Sequence, residues 1–151
     1  MIAALRGHRL LAGLAEPHLA VLAGCARDAR YDQGAFLFHE GEDADACHLL
    51  LEGRVALELH APGRDPLRCQ TVSAGEAVGL SWLSPPAHWA FDARAVKPVR
   101  SIVLDAAALN AAADADPAFG YALLRALLPA LLGRLHATRL QLLDLYSHAR
   151  G

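Results

Sequence analysis

A chain of 151 residues, 54% hydrophobic and 20% charged, has enough apolar material for one core and too little length for two ordinary domains. Its 14 Lys and Arg against 16 Asp and Glu, a formal charge of -2, exclude the global basic field that holds nucleic acid by phosphate neutralisation. Cys25, Cys47 and Cys69 are odd in number, widely spaced and free of any CxxC pattern, which argues against a disulfide framework or a zinc site and for a reducing, cytoplasmic setting.

In chain order, residues 1–29 are expected to form short N-terminal helices. Leu10, Leu11, Leu14, Leu19 and Leu22 recur at helical spacing with a break at Pro17, and Arg6, His8 and Arg9 interrupt any signal-like apolar run. Residues 30–105 read as a β-roll. Short apolar runs alternate with turn residues: AFLFHE, GEDADA, CHLLLE, then Gly53, then RVALELH and the turn at 62–65, followed by LRCQTVS. Val55, Leu57 and Leu59 alternate with Arg54, Glu58 and His60, the pattern of a strand with one buried face. After a loop across 74–89 come AFDARAV and VRSIVLD, for about eight antiparallel strands in all, flanked by helices in a mainly β, α+β fold.

Residues 106–115 form an expected short Ala-rich helix. Asp116-Pro117 is then a helix start, with Asp as N-cap and Pro at the first helical position, and the helix is expected to span 116–148. Leu124, Leu128, Leu131, Leu135, Thr138, Leu142 and Leu145 fall in steps of four and three, a heptad seam with one polar member. Leucines at 123, 127, 132, 140 and 143 make the helix apolar on a second side, so one side can cover the roll while the seam pairs with a second copy of the chain. Pro129 removes one backbone hydrogen bond and is expected to bend the helix. Arg125, Arg134, Arg139 and Asp144 place charge at every turn or two, so a soluble helix is expected rather than a membrane span.

The order of these elements, with Tyr31, Gly34, Glu40-Gly41-Glu42, Asp45, the run from Gly53 to Leu57, Gly75-Glu76, Gly79 and Arg94-Ala95, resembles the sensor domain of Crp/Fnr regulators and other cyclic-nucleotide-binding domains. The resemblance implies a β-roll on a dimerising helix. It also implies a phosphate cassette in which a Glu takes the ribose hydroxyl and an Arg pairs with the cyclic phosphate. Setting Gly75 and Gly79 on the cassette glycines puts Leu80 at the Glu position, and counting back from Arg94-Ala95 puts Trp89 at the Arg position. Leu cannot accept a hydroxyl hydrogen bond, and one indole N–H cannot replace a cationic fork. Loss of a desolvated charge-assisted pair costs about 2 to 5 kcal/mol, so tight cyclic-nucleotide binding is not expected and no cofactor is assigned.

The candidate pocket is Gly79, Leu80, Ser81, Trp82, His88, Trp89, Phe91, Arg94 and Thr138. Its aromatics either fill the vacated cassette or rebuild it for a planar or apolar ligand. Thr138, in an Arg-Leu-x-x-Thr segment whose Thr in relatives reaches the adenine amino group, is either a ligand contact or the polar register-setter of the seam. Arg94 is either a second ligand contact or a structural partner of Asp92 or Glu76. No catalytic motif is present, so an enzyme is not expected. Haem held through Cys47, His48 or His88 is a minor alternative. With the sequence stopping soon after Tyr146, no winged helix-turn-helix and no DNA binding are expected. The expected function is a non-catalytic regulatory module acting as a homodimer on an unidentified protein partner. The competing reading is a sensor of cyclic nucleotide or another small molecule through unconventional contacts.

Overall fold

Two long strands rich in buried aliphatic residues carry the architecture. In a computed structural model, which describes residues 1–150, β3 (Ala46–Leu59) and β6 (Asp92–Asp105) run antiparallel over their whole length, from Ala46↔Asp105 to Glu58↔Asp92. β1 (Ala26–Tyr31) pairs with the C-terminal half of β6, and β2 (Phe36–Phe38) with its beginning. β4 (Leu67–Ser73) pairs with the C-terminal half of β3, and β5 (Ala77–Val78) with its beginning. All pairings are antiparallel, and the strand order is β1-β6-β3-β4 with β2 and β5 off that path.

There are six strands, not about eight. CHLLLE and RVALELH, which Gly53 was expected to separate, are one strand, and so are the runs on either side of Lys97-Pro98. Each strand passes through its breaker by bending: the β3–β6 register shifts between Leu50 and Val55, as β-bulges do. Gly53 adopts φ +95°, and a Cβ there would lie 2.2 Å from the Pro98 carbonyl oxygen, so the two bends meet backbone to backbone and only glycine fits. β1 also begins at Ala26, ahead of the boundary at 30, with Arg27 to Arg30 paired along β6.

The N-terminal helices α1 (Ile2–Gly7) and α2 (Glu16–Gly24), with a 3-10 turn at Arg9–Leu11 between them, bury Leu5, Leu11, Leu19 and Leu22. α3 (Ala106–Ala115) starts where the Asp105 carboxylate accepts the Ala108 N–H at 2.8 Å, and buries Ala106 and Leu109. α4 (Pro117–Arg150) follows after a single residue, with Asp116 accepting the Ala118 N–H at 3.1 Å, and continues through Pro129 as one helix.

The first turns of α4 place Phe119, Leu123 and Leu127 in the core, and Gly120 lets the helix approach Ala113 of α3. The expectation that the second apolar side covers the roll holds only this far, because Leu132, Leu140 and Leu143 are exposed. The reason is direction: α4 meets the strands through Arg134, Thr138 and Gln141, and at ~100° per residue Leu132 and Leu143 lie on the opposite side of the helix, while Leu140 lines an opening between helix and strands. By length and composition α4 also meets the requirement for crossing a membrane, one stretch of 18 residues within it having a mean hydropathy of 1.3.

Candidate ligand site

The loop from β5 to β6 turns inward. Gly79 has φ +87°, and the chain then makes a 3-10 turn at Ser81–Leu83 and passes a cis Pro85-Pro86 peptide before entering β6. Leu80, Trp82 and Trp89 are all buried. The Trp89 indole stacks on Phe38 with centroids 3.8 Å apart and planes 12° from parallel. Its far edge lies on Gly79, where a Cβ would be 2.7 Å from Cη2. Phe91 leans on the other neighbour of this stack, 6.2 Å from Phe38. Backbone hydrogen bonds fix Trp89 from both sides: its N–H donates to Glu42 O at 2.9 Å, and its carbonyl accepts from Gly41 N–H at 2.9 Å. The side chain at the expected phosphate-arginine position is therefore held in the hydrophobic core.

The remaining residues singled out in this stretch lie around that core. Ser81 is half-buried at the 3-10 turn, and His88 is exposed with Nδ1 3.3 Å from Asp43. Arg94 pairs with neither Asp92 nor Glu76. Its guanidinium forms a fork on Glu58, 2.7 and 3.1 Å, from a diagonal position across β3 and β6, where Ala56 is opposite Arg94 and Glu58 opposite Asp92. That fork holds the Glu58 carboxyl below its ordinary pKa. Asp92 instead accepts the Glu40 N–H at 2.7 Å and lies 2.7 Å from His60 Nδ1 and 3.6 Å from His39 Nδ1.

Cys47 and His48 are buried side by side at the start of β3. Desolvation pushes the Cys47 thiol up to about 12 and pulls His48 down to about 4. His48 lies between Tyr31 and Phe38, with ring centroids 6.1 and 5.9 Å away. Among the described residues, no group of three or more His, Cys, Asp or Glu is disposed to hold a metal ion.

A separate opening of about 930 Å³ lies between α4 and the strands β4 and β5. Arg68, Cys69, Gln70, Thr71, Val72, Glu76 and Ala77 line it from β4, β5 and the turn between them, α4 supplies Ala126, Pro129, Ala130, Gly133, Arg134, Ala137, Leu140 and Gln141, and Arg9 and Leu10 complete the lining. None of the cassette residues named above lines it. Thr138 reaches it through Gln70, whose Nε2 donates to Thr138 Oγ1 at 3.1 Å and to Arg134 O at 3.2 Å, while the Thr138 hydroxyl donates to Arg134 O at 2.9 Å. Gln141 donates to the Cys69 carbonyl.

At ~100° per residue, Arg134, Thr138 and Gln141 share the side of α4 that meets the strands. The Arg134 guanidinium donates to the Ala77 carbonyl, and burial pulls its pKa below the ordinary arginine value. In the sequence Arg134 stands out as a charge that speaks against a membrane span and as the first residue of the Arg-Leu-x-x-Thr segment, but not as a contact to the strands. An arginine four residues before Thr138 on a leucine-rich helix is, as a pattern, indistinguishable from a solvated charge.

The profile of the cyclic nucleotide-binding domain matches residues 29–116. A putative cyclic nucleotide-binding protein from Geobacter metallireducens is 32% identical over 89% of this chain and 97% of its own, with a TM-score of 0.79. The N-terminal domain of a transcriptional regulator from Streptomyces coelicolor is 27% identical, with coverage of 86% and 93% and a TM-score of 0.69. A cyclic nucleotide-binding domain from Methylobacillus flagellatus is 20% identical, covers 95% of this chain and 80% of its own, and has a TM-score of 0.79, a likeness of fold. Among curated proteins no match was found.

Proposed function

The chain belongs to the cyclic nucleotide-binding domain family, and on that footing we propose that it is a non-catalytic regulatory module that has lost tight cyclic-nucleotide binding and works as a homodimer on a protein partner. The observation that carries the first part is the Trp89 indole, stacked on Phe38 and lying on Gly79 where the family's phosphate arginine would stand. A cyclic phosphate entering there would displace a buried aromatic ring and find no cation on the loop: Arg94 is already committed to Glu58. Leu80, at the ribose position, offers no acceptor.

Homodimerisation is supported by the seam. Leu124, Leu128, Leu131, Leu135, Leu142 and Leu145 are between 43% and 68% exposed, in an order of threes and fours that a second copy of the same helix matches residue for residue. Thr138 stands at the border of that seam with its hydroxyl turned to Gln70 on β4, which fits a register role better than a free ligand contact. The output passes through a change in the pairing of the two α4 helices, read by another protein.

Calorimetric titration with cAMP and cGMP tests the cassette: no saturable binding below about 100 μM is expected, and binding tighter than that sinks this part of the reading. Light scattering on wild type and Leu135→Glu tests the seam. A dimer broken by the substitution is expected; a monomeric wild type, or one that floats with lipid vesicles, defeats it.

A further inference from the structure

At ~100° per residue α4 has a third flank, distinct from the side that meets the strands and from the seam. Tyr121, Arg125, Leu132, Arg139, Leu143 and Tyr146 fall within ~60° of one another there, and all six are exposed. Arg125, Leu132, Arg139 and Tyr146 recur at every seventh residue, so the flank keeps nearly one direction along the helix. Its charge is of one sign. The carboxylate pairs made by arginines among the described residues belong to Arg6, Arg9, Arg94 and Arg100, and Arg125 and Arg139 are in none of them. Arg125 Nη1 donates to Tyr121 Oη at 2.9 Å, with the guanidinium 5.7 Å from the ring centroid. The one acidic residue of α4, Asp144, stands ~100° or more round the helix from each of the six.

The position of the two arginines decides what can cover this flank. They lie seven residues either side of Leu132, so a second copy laid on the flank, parallel or antiparallel, sets arginine against arginine. A bilayer surface takes a helix whose cations stand on the polar face, whereas Arg125 and Arg139 share one stripe with Leu132 and Leu143. A helix of another protein meets both demands at once, with an apolar side chain against Leu132 and a carboxylate against each guanidinium. Tyr and Arg are also the side chains on which protein interfaces concentrate their binding energy.

We propose that this flank is the docking surface for the protein partner, and that the partner presents an amphipathic helix whose carboxylates stand about fourteen residues apart, astride an apolar residue. The inference deepens the reading of the chain as a homodimer acting on a protein, and rests on it. The flank lies ~80° round α4 from the seam, so the docked helix packs beside the pair of α4 helices and touches their contact. It therefore senses any change in how the two copies pair.

The test is a fluorescence anisotropy titration of the full chain with a labelled, Ala-based helical peptide of about 25 residues, bearing a leucine stripe and two Glu fourteen residues apart. Saturable binding of one peptide per chain, tighter than about 100 μM, is expected. Arg125→Glu with Arg139→Glu should weaken it at least about tenfold, and the same variant should prefer the peptide with Lys in place of both Glu. Leu132→Ala should weaken it about threefold or more, with the light-scattering mass unchanged. Equal affinity of the wild type for the Glu and Lys peptides overturns the proposal, since leucine contacts alone then hold the peptide, and so does an absence of binding up to about 1 mM. Peptide that splits the dimer lies on the seam and also overturns it. So does a chain that ignores the peptide but binds phosphatidylserine vesicles through the two arginines. A monomeric wild type without peptide counts against the seam alone, because the charge reversal reads the flank in a single copy as well.

Discussion

The inward loop between β5 and β6 and the distal half of α4 are both strongly apolar in sequence, yet they end in opposite situations. Trp82 and Trp89 are 5% and 3% exposed, packed on residues of their own chain. Leu131, Leu135 and Leu142 are about half exposed, on a flank of α4 turned off the side that meets the strands. Apolar surface stabilises the fold where the roll closes over it and stays available for association on the flank that α4 turns away from the roll. Substitutions in the two regions should therefore separate cleanly between unfolding and self-association.

The largest expected effect on stability is at Trp89. Trp89→Ala removes the ring stacked on Phe38 and leaves a cavity over Gly79, for a loss of about 3 to 5 kcal/mol by chemical denaturation, with the light-scattering mass of the folded fraction unchanged. A change in mass with no loss of stability would reverse the comparison.

Mild acid probes the same interior. The folded-state pKa of His48, about 4, lies below the about 6.5 of an unfolded imidazole. Above about pH 6.5 the ring is neutral in both states. Between about 6.5 and 4 the unfolded chain takes the proton and the folded chain does not, so stability falls as pH falls, by up to about 3 kcal/mol at pH 4. His8, also lowered by burial, adds a slope of the same sign. Denaturation midpoints across this range should show the loss, and His48→Leu should flatten most of it.

Smaller effects are expected at the edge of the roll. Arg94→Ala leaves the buried Glu58 carboxylate without its fork and should cost about 1 to 2 kcal/mol, less than a fully buried pair because Arg94 is one-third exposed. Glu58→Gln in the Arg94→Ala background should recover part of it. At the far end of the scale, Leu135→Glu should move the unfolding free energy of the dissociated chain by less than about 0.5 kcal/mol while abolishing the concentration dependence of the melting temperature. A loss of several kcal/mol there would place Leu135 in the fold rather than in the seam.

What the sequence made legible follows the same division. The family, the roll and the helix starting at Asp116-Pro117 were readable because glycines at turns, alternation in RVALELH and the Asp-Pro cap are local signals. The strand count was not, because Gly53 and Pro98 break strands by local rules, and only their mutual contact across β3 and β6 turns two breaks into two bends. The ARDARY run of β1 carries little apolar periodicity and is a strand because β6 offers it an edge. Arg94 missed its expected partner for a related reason: the diagonal to Glu58 depends on a cross-strand register that residue types do not encode. Leu80 and Trp89 were legible as departures from the family pattern, whereas the inward turn of Arg134 depends on where α4 meets the strands.

The meeting of Gly53 and Pro98 also has a mechanical side. Since β3 and β6 each run unbroken through both ends of the roll and are clamped to each other at mid-length, the roll contains no internal hinge. Its two ends must turn together, as one stiff lever. The first place where the chain can pivot is Asp116, the single residue between α3 and α4. A change of angle about that residue must break the hydrogen bonds that join Gln70, Ala77 and Cys69 to Arg134, Thr138 and Gln141 of α4.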